Sequence, residues 1–312
     1  MRDLHELPKL RDGLSYLYVE HSKVEQNHLS IELFSEQGRT LVPAAALGVL
    51  MLGPGTAITH AAVKALADNG CSIVWCGEDG IRFYAQGGGE TRKAYRLLGQ
   101  ARLASDPEKR MAVVRRMYKL RFEEPLPENL TIEQIRGFEG VRVREAYARA
   151  SRDTGVPWHG RNYDRGNWGA SDPVNRALSG ANACLNGICH TAIVSGGYSP
   201  ALGFIHTGKQ LSFVYDVADL YKTEITIPLA FGLIAAGGGP LDQKVRAACR
   251  QAFRDSRLLK RLLPDIDCLL ELRDEPDEDA DALDGDPARP TPLWSPPEDQ
   301  TLEGLLNGRD DS

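Results

Sequence analysis

The sequence predicts an α+β fold: a β-rich N-terminal domain over residues 1–90, an all-α catalytic domain over 91–275, and a disordered acidic, proline-rich tail over 276–312. Three observations carry this reading. The first part alternates apolar and polar side chains with period two, the apolar spacing becomes three and four from Thr91, and beyond Arg273 the chain turns acidic and then proline-rich. In order, SYLYVEHSKVEQ (from Ser15) and HLSIELFS (from His28) read as strands rich in β-branched and aromatic residues. ITHAAVKALADNG reads as one short helix closed by Asn69-Gly70. CSIVWCGEDGIRFYA reads as strand, turn at Glu78-Asp79-Gly80, strand, and Gly87-Gly88-Gly89 marks the boundary. Helices follow over TRKAYRLLGQARLASD and PEKRMAVVRRMYKLRFEE, with Pro107 in a first helical turn that tolerates it. A long helix opens at Thr131, with Gln134 placed for a capping box. Asp172-Pro173 opens another that runs to about Ser195, and further helices are predicted from Ser212 and from Leu241 to about Leu263.

Composition leaves several classes open and closes others. The 312 residues carry a net charge of −6, but 14 acidic and 3 basic residues lie from Glu271 onward. The first 270 residues therefore hold 34 Lys/Arg against 29 Asp/Glu, a mildly basic body compatible with a polyanion partner. The six cysteines form no C-x-x-C pair and are expected reduced, which with the absence of a secretory leader predicts a cytoplasmic protein. LVPAAALGVLML, the most apolar run, is too short to span a bilayer, so no membrane association is expected.

GFIHTGKQ, at Gly203–Gln210, is one residue short of the phosphate-binding loop G-x-x-x-x-G-K-[ST]. Gln210 lacks the hydroxyl that would hold Mg²⁺, and the loop follows a helix rather than a strand. A nucleotide triphosphatase is thereby set aside, and attention moves to His206. On the helix that follows, Ser212, Asp216, Asp219 and Thr223 share a sector. Two aspartates at i, i+3 with a histidine ten residues before the first can converge on a divalent ion, Mn²⁺ or hydrated Mg²⁺. The same spacing also fits a solvated helix face. Glu139 lies between Gly137 and Gly140 in a predicted helix, where each glycine costs about 1 kcal/mol relative to alanine. Close approach of a ligand or backbone, or close helix packing, would explain them. Glu145 is a second carboxylate on that helix. Ten Lys/Arg against two acids lie between Arg92 and Arg121, a face suited to phosphates or simply to water. WHGRNYDRGNW (Trp158–Trp168) mixes aromatics with arginines, as stacking on unpaired bases requires.

RGFEG, GFIHTGK and SFVYDVAD, in this order, resemble the three signature segments of the CRISPR-associated adaptation integrases, metal-dependent DNA endonucleases that install new spacers in a CRISPR array. CGEDGIRFYA, NYDRGNW and VRAACRQAFR are most similar to the I-E branch, and the resemblance covers the chain to about residue 270. It implies a Mg²⁺ or Mn²⁺ site made by Glu139, His206 and Asp219, with Asp216 beside it as an essential carboxylate. It also implies active-site tyrosines at Tyr163 and Tyr215, and DNA contacts from Arg82, Lys209, Arg246 and Arg250. Asn186 departs from the family pattern, standing where I-E relatives have tyrosine. The implied chemistry is attack by the 3′-hydroxyl of a spacer precursor on a phosphodiester of the CRISPR repeat. The implied partners are double-stranded DNA, a second copy of the chain joined through the N-terminal domain, and a small ferredoxin-like protein, on which the acidic tail is expected to dock.

Overall fold

The structure, a computed structural model, describes residues 16–36, 38–78, 82–88, 94–122, 126–127, 130–161 and 172–272. Eight strands occupy its first part: Tyr16–Val19 (β1), Lys23–Asn27 (β2), Ser30–Ser35 (β3), Gly38–Pro43 (β4), Val49–Leu52 (β5), Ala57–Ile58 (β6), Ser72–Cys76 (β7) and Phe83–Gly87 (β8). A helix, His60–Asp68 (α1), connects β6 to β7; Thr59 caps it by accepting from Ala62 N–H, and Gly70 takes the left-handed φ of +67°. Strands β1, β5 and β7 run parallel, and β8 closes the first sheet antiparallel to β7. The second sheet is a β2–β3–β4 meander with β6 added parallel to β2. All four residues of β5 are buried, as a central parallel strand covered on both faces must be. Its Leu50 and Leu52 join Val24, Ile31, Leu66 and Ile73 in one core, while Val49 and Met51 join Val74 and Cys76 in another. LVPAAALGVLML is thus the end of β4, a 3₁₀ turn at Ala44–Ala46, and β5. Within the expected turn before β8, Asp79 and Gly80 lie outside the described residues.

The rest is helical: Tyr95–Ser105 (α2), Pro107–Phe122 (α3), Ile132–Thr154 (α4), Pro173–Ser195 (α5), Ser212–Asp219 (α6), Ile227–Ala236 (α7), Leu241–Asp255 (α8) and Leu258–Leu270 (α9), with a π-helical turn at Lys222–Thr226 between α6 and α7. Their buried side chains form a third core, running from Val113 to Leu270. The described residues fall in a single contact unit, Met1–Asp274. The capping box forms as the sequence predicts, Thr131 Oγ1 accepting from Gln134 N–H and Gln134 Oε1 from Thr131 N–H. Asp172 caps α5 over Pro173.

One expectation is corrected. The helix predicted from Leu241 to about Leu263 breaks at Ser256-Arg257, where Arg257 takes φ +50°, and α9 then runs through Pro264. An interior proline costs ~3 kcal/mol, yet Leu258, Leu259, Leu262, Leu263, Ile266, Leu269 and Leu270 are all buried on this helix. At ~1.5–3 kcal/mol per side chain, their burial outweighs the proline. Helix α7 had no amphipathic signature because it is apolar nearly all round.

Helix α5 sits at the centre of the helical part, with 13 buried positions to set against α6, α7, α8 and α9. Its small residues permit close approach: a Cβ on Gly180 would come 3.1 Å from Val245 Cγ1 of α8. On α5, His190 stacks on Phe83 of β8 with ring centroids 3.7 Å apart, and burial holds the imidazole down at about 4. The unfolded chain binds this proton at ordinary histidine pH, so stability falls as pH drops from about 6.5 toward 4. His190→Leu should flatten that slope, measured as the difference in melting temperature between pH 7 and pH 5; an unchanged slope would assign the acid sensitivity elsewhere.

Candidate active site

Residues Gly203–Leu211 form the second part of the connection between α5 and α6, and its shape is dictated by one side chain. Asp216 of α6 has a carboxylate that is 0% exposed. Its Oδ2 accepts from the backbone N–H of Phe204 (2.5 Å) and Ile205 (3.0 Å), and its Oδ1 from that of His206 (2.9 Å). The loop's outward carbonyls are held as well: Arg110 Nε donates to Phe204 O at 2.7 Å and Arg136 Nη2 to Ile205 O at 2.5 Å. Gly203 is required for steric reasons, since a Cβ there would lie 2.2 Å from His206 O. Gly208 takes φ +79°, and Ser212 Oγ accepts from Lys209 N–H and donates to Lys209 O. The glycines that suggested a phosphate loop serve turns.

His206 is thereby presented with its Nδ1 2.7 Å from Asp216 Oδ1. This bond raises the imidazole pKa against the lowering effect of burial, with the charges of Asp216 and Asp219 adding to it. A carboxylate on Nδ1 fixes the ring and leaves Nε2 as the nitrogen that could meet a ligand, as in carboxylate–histidine–metal sites. The Tyr215 ring stands edge-on to His206 at 5.9 Å.

Glu139 of α4 and Asp219 at the end of α6 line one narrow cleft with Arg121, Ile205, Asp216 and Leu220. Arg121, at the end of α3, pairs with Glu139 through Nη1, and the same nitrogen lies 4.0 Å from Asp219 Oδ2. Lys222, the first residue of the π turn, pairs with Asp219. That contact is close, yet Asp219 Oδ1 is buried without a hydrogen bond of acceptable geometry. Proximity gives charge neutralisation there, while the oxygen's lone pairs stay unfilled. An imidazole with two carboxylates suits Mg²⁺ or Mn²⁺, and the unsatisfied Asp219 oxygen is the atom such an ion would take up. Among the described residues no three His, Cys, Asp or Glu side chains are grouped in ligand geometry. Cationic side chains face the two carboxylates instead.

The glycines flanking Glu139 border open space: nothing lies within 4 Å of a Cβ on Gly137, and only the tip of Arg144, at 4.0 Å, on Gly140. Close helix packing is thus not their explanation among the described residues. Gly137→Ala should stabilise the protein by about 1 kcal/mol, read from thermal unfolding. If it also weakens DNA joining, a ligand approaches that face; no gain in stability would contradict the open surroundings. Glu145 pairs with Arg142 at 2.8 Å, apart from the cleft.

The other expected DNA contacts fall into two groups. Lys209 is exposed on the His206 loop, and Tyr215 is half-buried. Arg82 and Arg246 both bear electrostatically on Cys184, and Arg246 Nε lies 3.6 Å from Glu78. Arg250 is half-buried one turn along α8 from Arg246, with its Nε buried. Tyr163 lies outside the described residues. Asn186 sits on α5 with its Oδ1 buried and unbonded. None of the six cysteines is in a disulfide, and Cys268 alone of them is exposed.

Much of the basic helix pair is turned inward. Arg96 binds Asp267 and Gly196 O, Arg115 binds Pro127 O and Leu130 O, and Arg116 binds Leu269 O and Glu271. With Arg110 and Arg121 these are ties within the protein, a use of the basic residues of α2 and α3 that neither the phosphate nor the solvent alternative foresaw. Trp158 likewise stacks on Tyr147 at 4.5 Å, and Arg161 is bonded to Asn175 and Ser179. Sequence reasoning missed Arg121 and Lys222 as neighbours of the carboxylates.

A family model described as CRISPR associated protein Cas1 matches residues 16–125 and 120–240. The chain belongs to the Cas1 family. It is 56% identical over 307 residues to the CRISPR-associated endonuclease Cas1 2 of Thermus thermophilus, covering 98% of this chain and 92% of the relative. The CRISPR-associated endonuclease Cas1 of Geobacter sulfurreducens is 47% identical over 262 residues, 84% of this chain and 86% of its own. The crystal structure of a TtCas1–DNA complex superposes with a TM-score of 0.78 at 58% identity, covering 85% of this chain and 99% of that one. The Cas1 fold accordingly agrees with the α+β architecture described above. No helix among the described residues is long and apolar enough to cross a membrane.

Proposed function

We propose that this Cas1-family chain is a metal-dependent DNA endonuclease and strand-transfer enzyme of CRISPR adaptation. It joins the 3′-hydroxyl ends of new spacer DNA to the CRISPR repeat by transesterification, as an element of antiviral defence in the cytoplasm. The observation that carries the reading is His206, held by Asp216 on a loop next to the cleft of Glu139 and Asp219. Relatives named as endonucleases and a DNA-bound structural neighbour support the substrate class.

Glu139, His206 and Asp219 would hold Mg²⁺ or Mn²⁺, which when bound supplies Lewis-acid stabilisation of charge on phosphoryl oxygens. The chain's own residues supply the rest. Asp216 keeps the imidazole oriented, Lys222 and Arg121 balance the carboxylates, and Lys209 stands exposed where a phosphate can approach. Arg82, Arg246 and Arg250 supply a second set of phosphate contacts, with Tyr163 and Tyr215 at the substrate. No side-chain nucleophile is needed, because the attacking group belongs to the DNA. Residues 1–90 act as the dimerising domain, 91–275 as the catalytic domain and 276–312 as a tail. The assembly contains a second copy and a small ferredoxin-like partner. The separate hydrophobic cores before and after residue 90 support that division.

The test is joining of a short duplex with free 3′-hydroxyls into repeat-bearing plasmid, with Mg²⁺ or Mn²⁺ and with chelator. Joining that requires the metal and is lost in His206→Ala supports the proposal. DNA binding without cleavage or joining under either metal would leave a scaffold, and cleavage of any nucleic acid without joining a general phosphodiesterase.

A further inference from the structure

Arg96 shows how an arginine ties this fold together, with three of its donor nitrogens engaged. Arg96 uses Nε and Nη2 on Asp267 and Nη1 on Gly196 O. Arg121 does not behave this way. Its side chain is 6% exposed, yet Nε is buried with no hydrogen-bond partner. Its hydrogen bond runs from Nη1 to Glu139, and that nitrogen also faces Asp219. Leaving a buried donor unmade is costly for a purely structural tie. What Arg121 does supply is a positive charge at the point where two carboxylates meet.

We infer that Arg121 is a resident counter-ion, which holds Glu139 and Asp219 together in the metal-free protein and competes with the divalent ion for them. This rests on the proposed metal site. Two carboxylates lining one cleft repel each other, and a single guanidinium between them offsets that repulsion. A divalent ion bound to the same carboxylates would face Arg121 as a like charge. Occupation of the site therefore requires the guanidinium to withdraw from the carboxylates, while the Phe122 ring already lies against it, 5.0 Å from Arg121 Cζ. Arg121 thus keeps the acidic cleft folded before metal arrives and sets how tightly the metal is held.

The experiment measures Mn²⁺ binding to the full chain by calorimetry, and thermal unfolding with and without Mn²⁺. It compares wild type with Arg121→Gln, Arg121→Met and His206→Ala. Either neutral variant should bind Mn²⁺ about tenfold more tightly, melt lower than wild type without metal, and gain more from Mn²⁺. A neutral variant that folds only when Mn²⁺ is present is the same result in its extreme form. If Mn²⁺ binds wild type and is lost in His206→Ala, while the neutral variants bind it equally or more weakly, Arg121 is no competitor and the inference fails. A neutral variant that stays unfolded with Mn²⁺ would make Arg121 a structural tie and overturn the inference too. If wild type binds no Mn²⁺, or binds it regardless of His206, the metal reading itself fails and takes this one with it.

Discussion

Replacing Asp216 with alanine should destabilise the protein by about 3 kcal/mol, because a buried charge that serves three backbone donors is removed. The N–H groups of Phe204, Ile205 and His206 would lose their acceptor, and Phe204 is itself fully buried. In a molecule of this size the loss corresponds to a melting temperature lower by roughly 6–12 °C. The substitution Asp216→Asn would be nearly as damaging, since the new NH₂ group would point donors at donors. Activity would disappear along with the loop. A variant whose stability stays within about 1 kcal/mol of wild type would show that the loop is held by something else. Asp216 is in this sense a positioning residue, and its effect on catalysis passes through His206.

Asp219→Ala and His206→Ala should do the opposite. Each should cut strand joining by about a thousandfold and leave the melting temperature close to that of wild type. His206 is 43% exposed and its ring holds no backbone in place. Asp219 Oδ1 is buried without a satisfactory hydrogen bond, and removing the carboxylate relieves its repulsion with Glu139, which offsets the ion pair lost at Lys222. The two aspartates stand three apart on one short helix, so the contrast between them is an internal control. Joining that survives either substitution would place the chemistry at another site.

The features legible in the sequence were the local ones. Thr131 and Asp172 act as caps within three residues of their partners, so their patterns can be read without knowing the fold. The pairing of β1, β5 and β7 depends on residues more than twenty apart; the sequence showed strands at β1 and β7 without their sheet, and β5 between them only as part of an apolar run. The end of α8 was hidden because Ser256-Arg257 contains neither glycine nor proline, while Pro264 marks a stop that the chain ignores. For the site, His206, Asp216 and Asp219 are close in sequence and were found together; Glu139 needed the family resemblance. Arg121 was counted as surface charge, since a charge count gives no sign that an arginine faces inward.

The π turn at Lys222–Thr226 has one more consequence. Helix α7 behind it is anchored by buried Ile227, Ala230 and Phe231, and α6 ahead of it carries both aspartates. One residue of α-helix is worth about 100° of rotation. The extra residue in a wide turn therefore sets the angular phase of Asp219 relative to α7. The aim of the carboxylate is encoded there in residue count, so a scan of substitutions through this turn would miss it and a one-residue deletion would expose it.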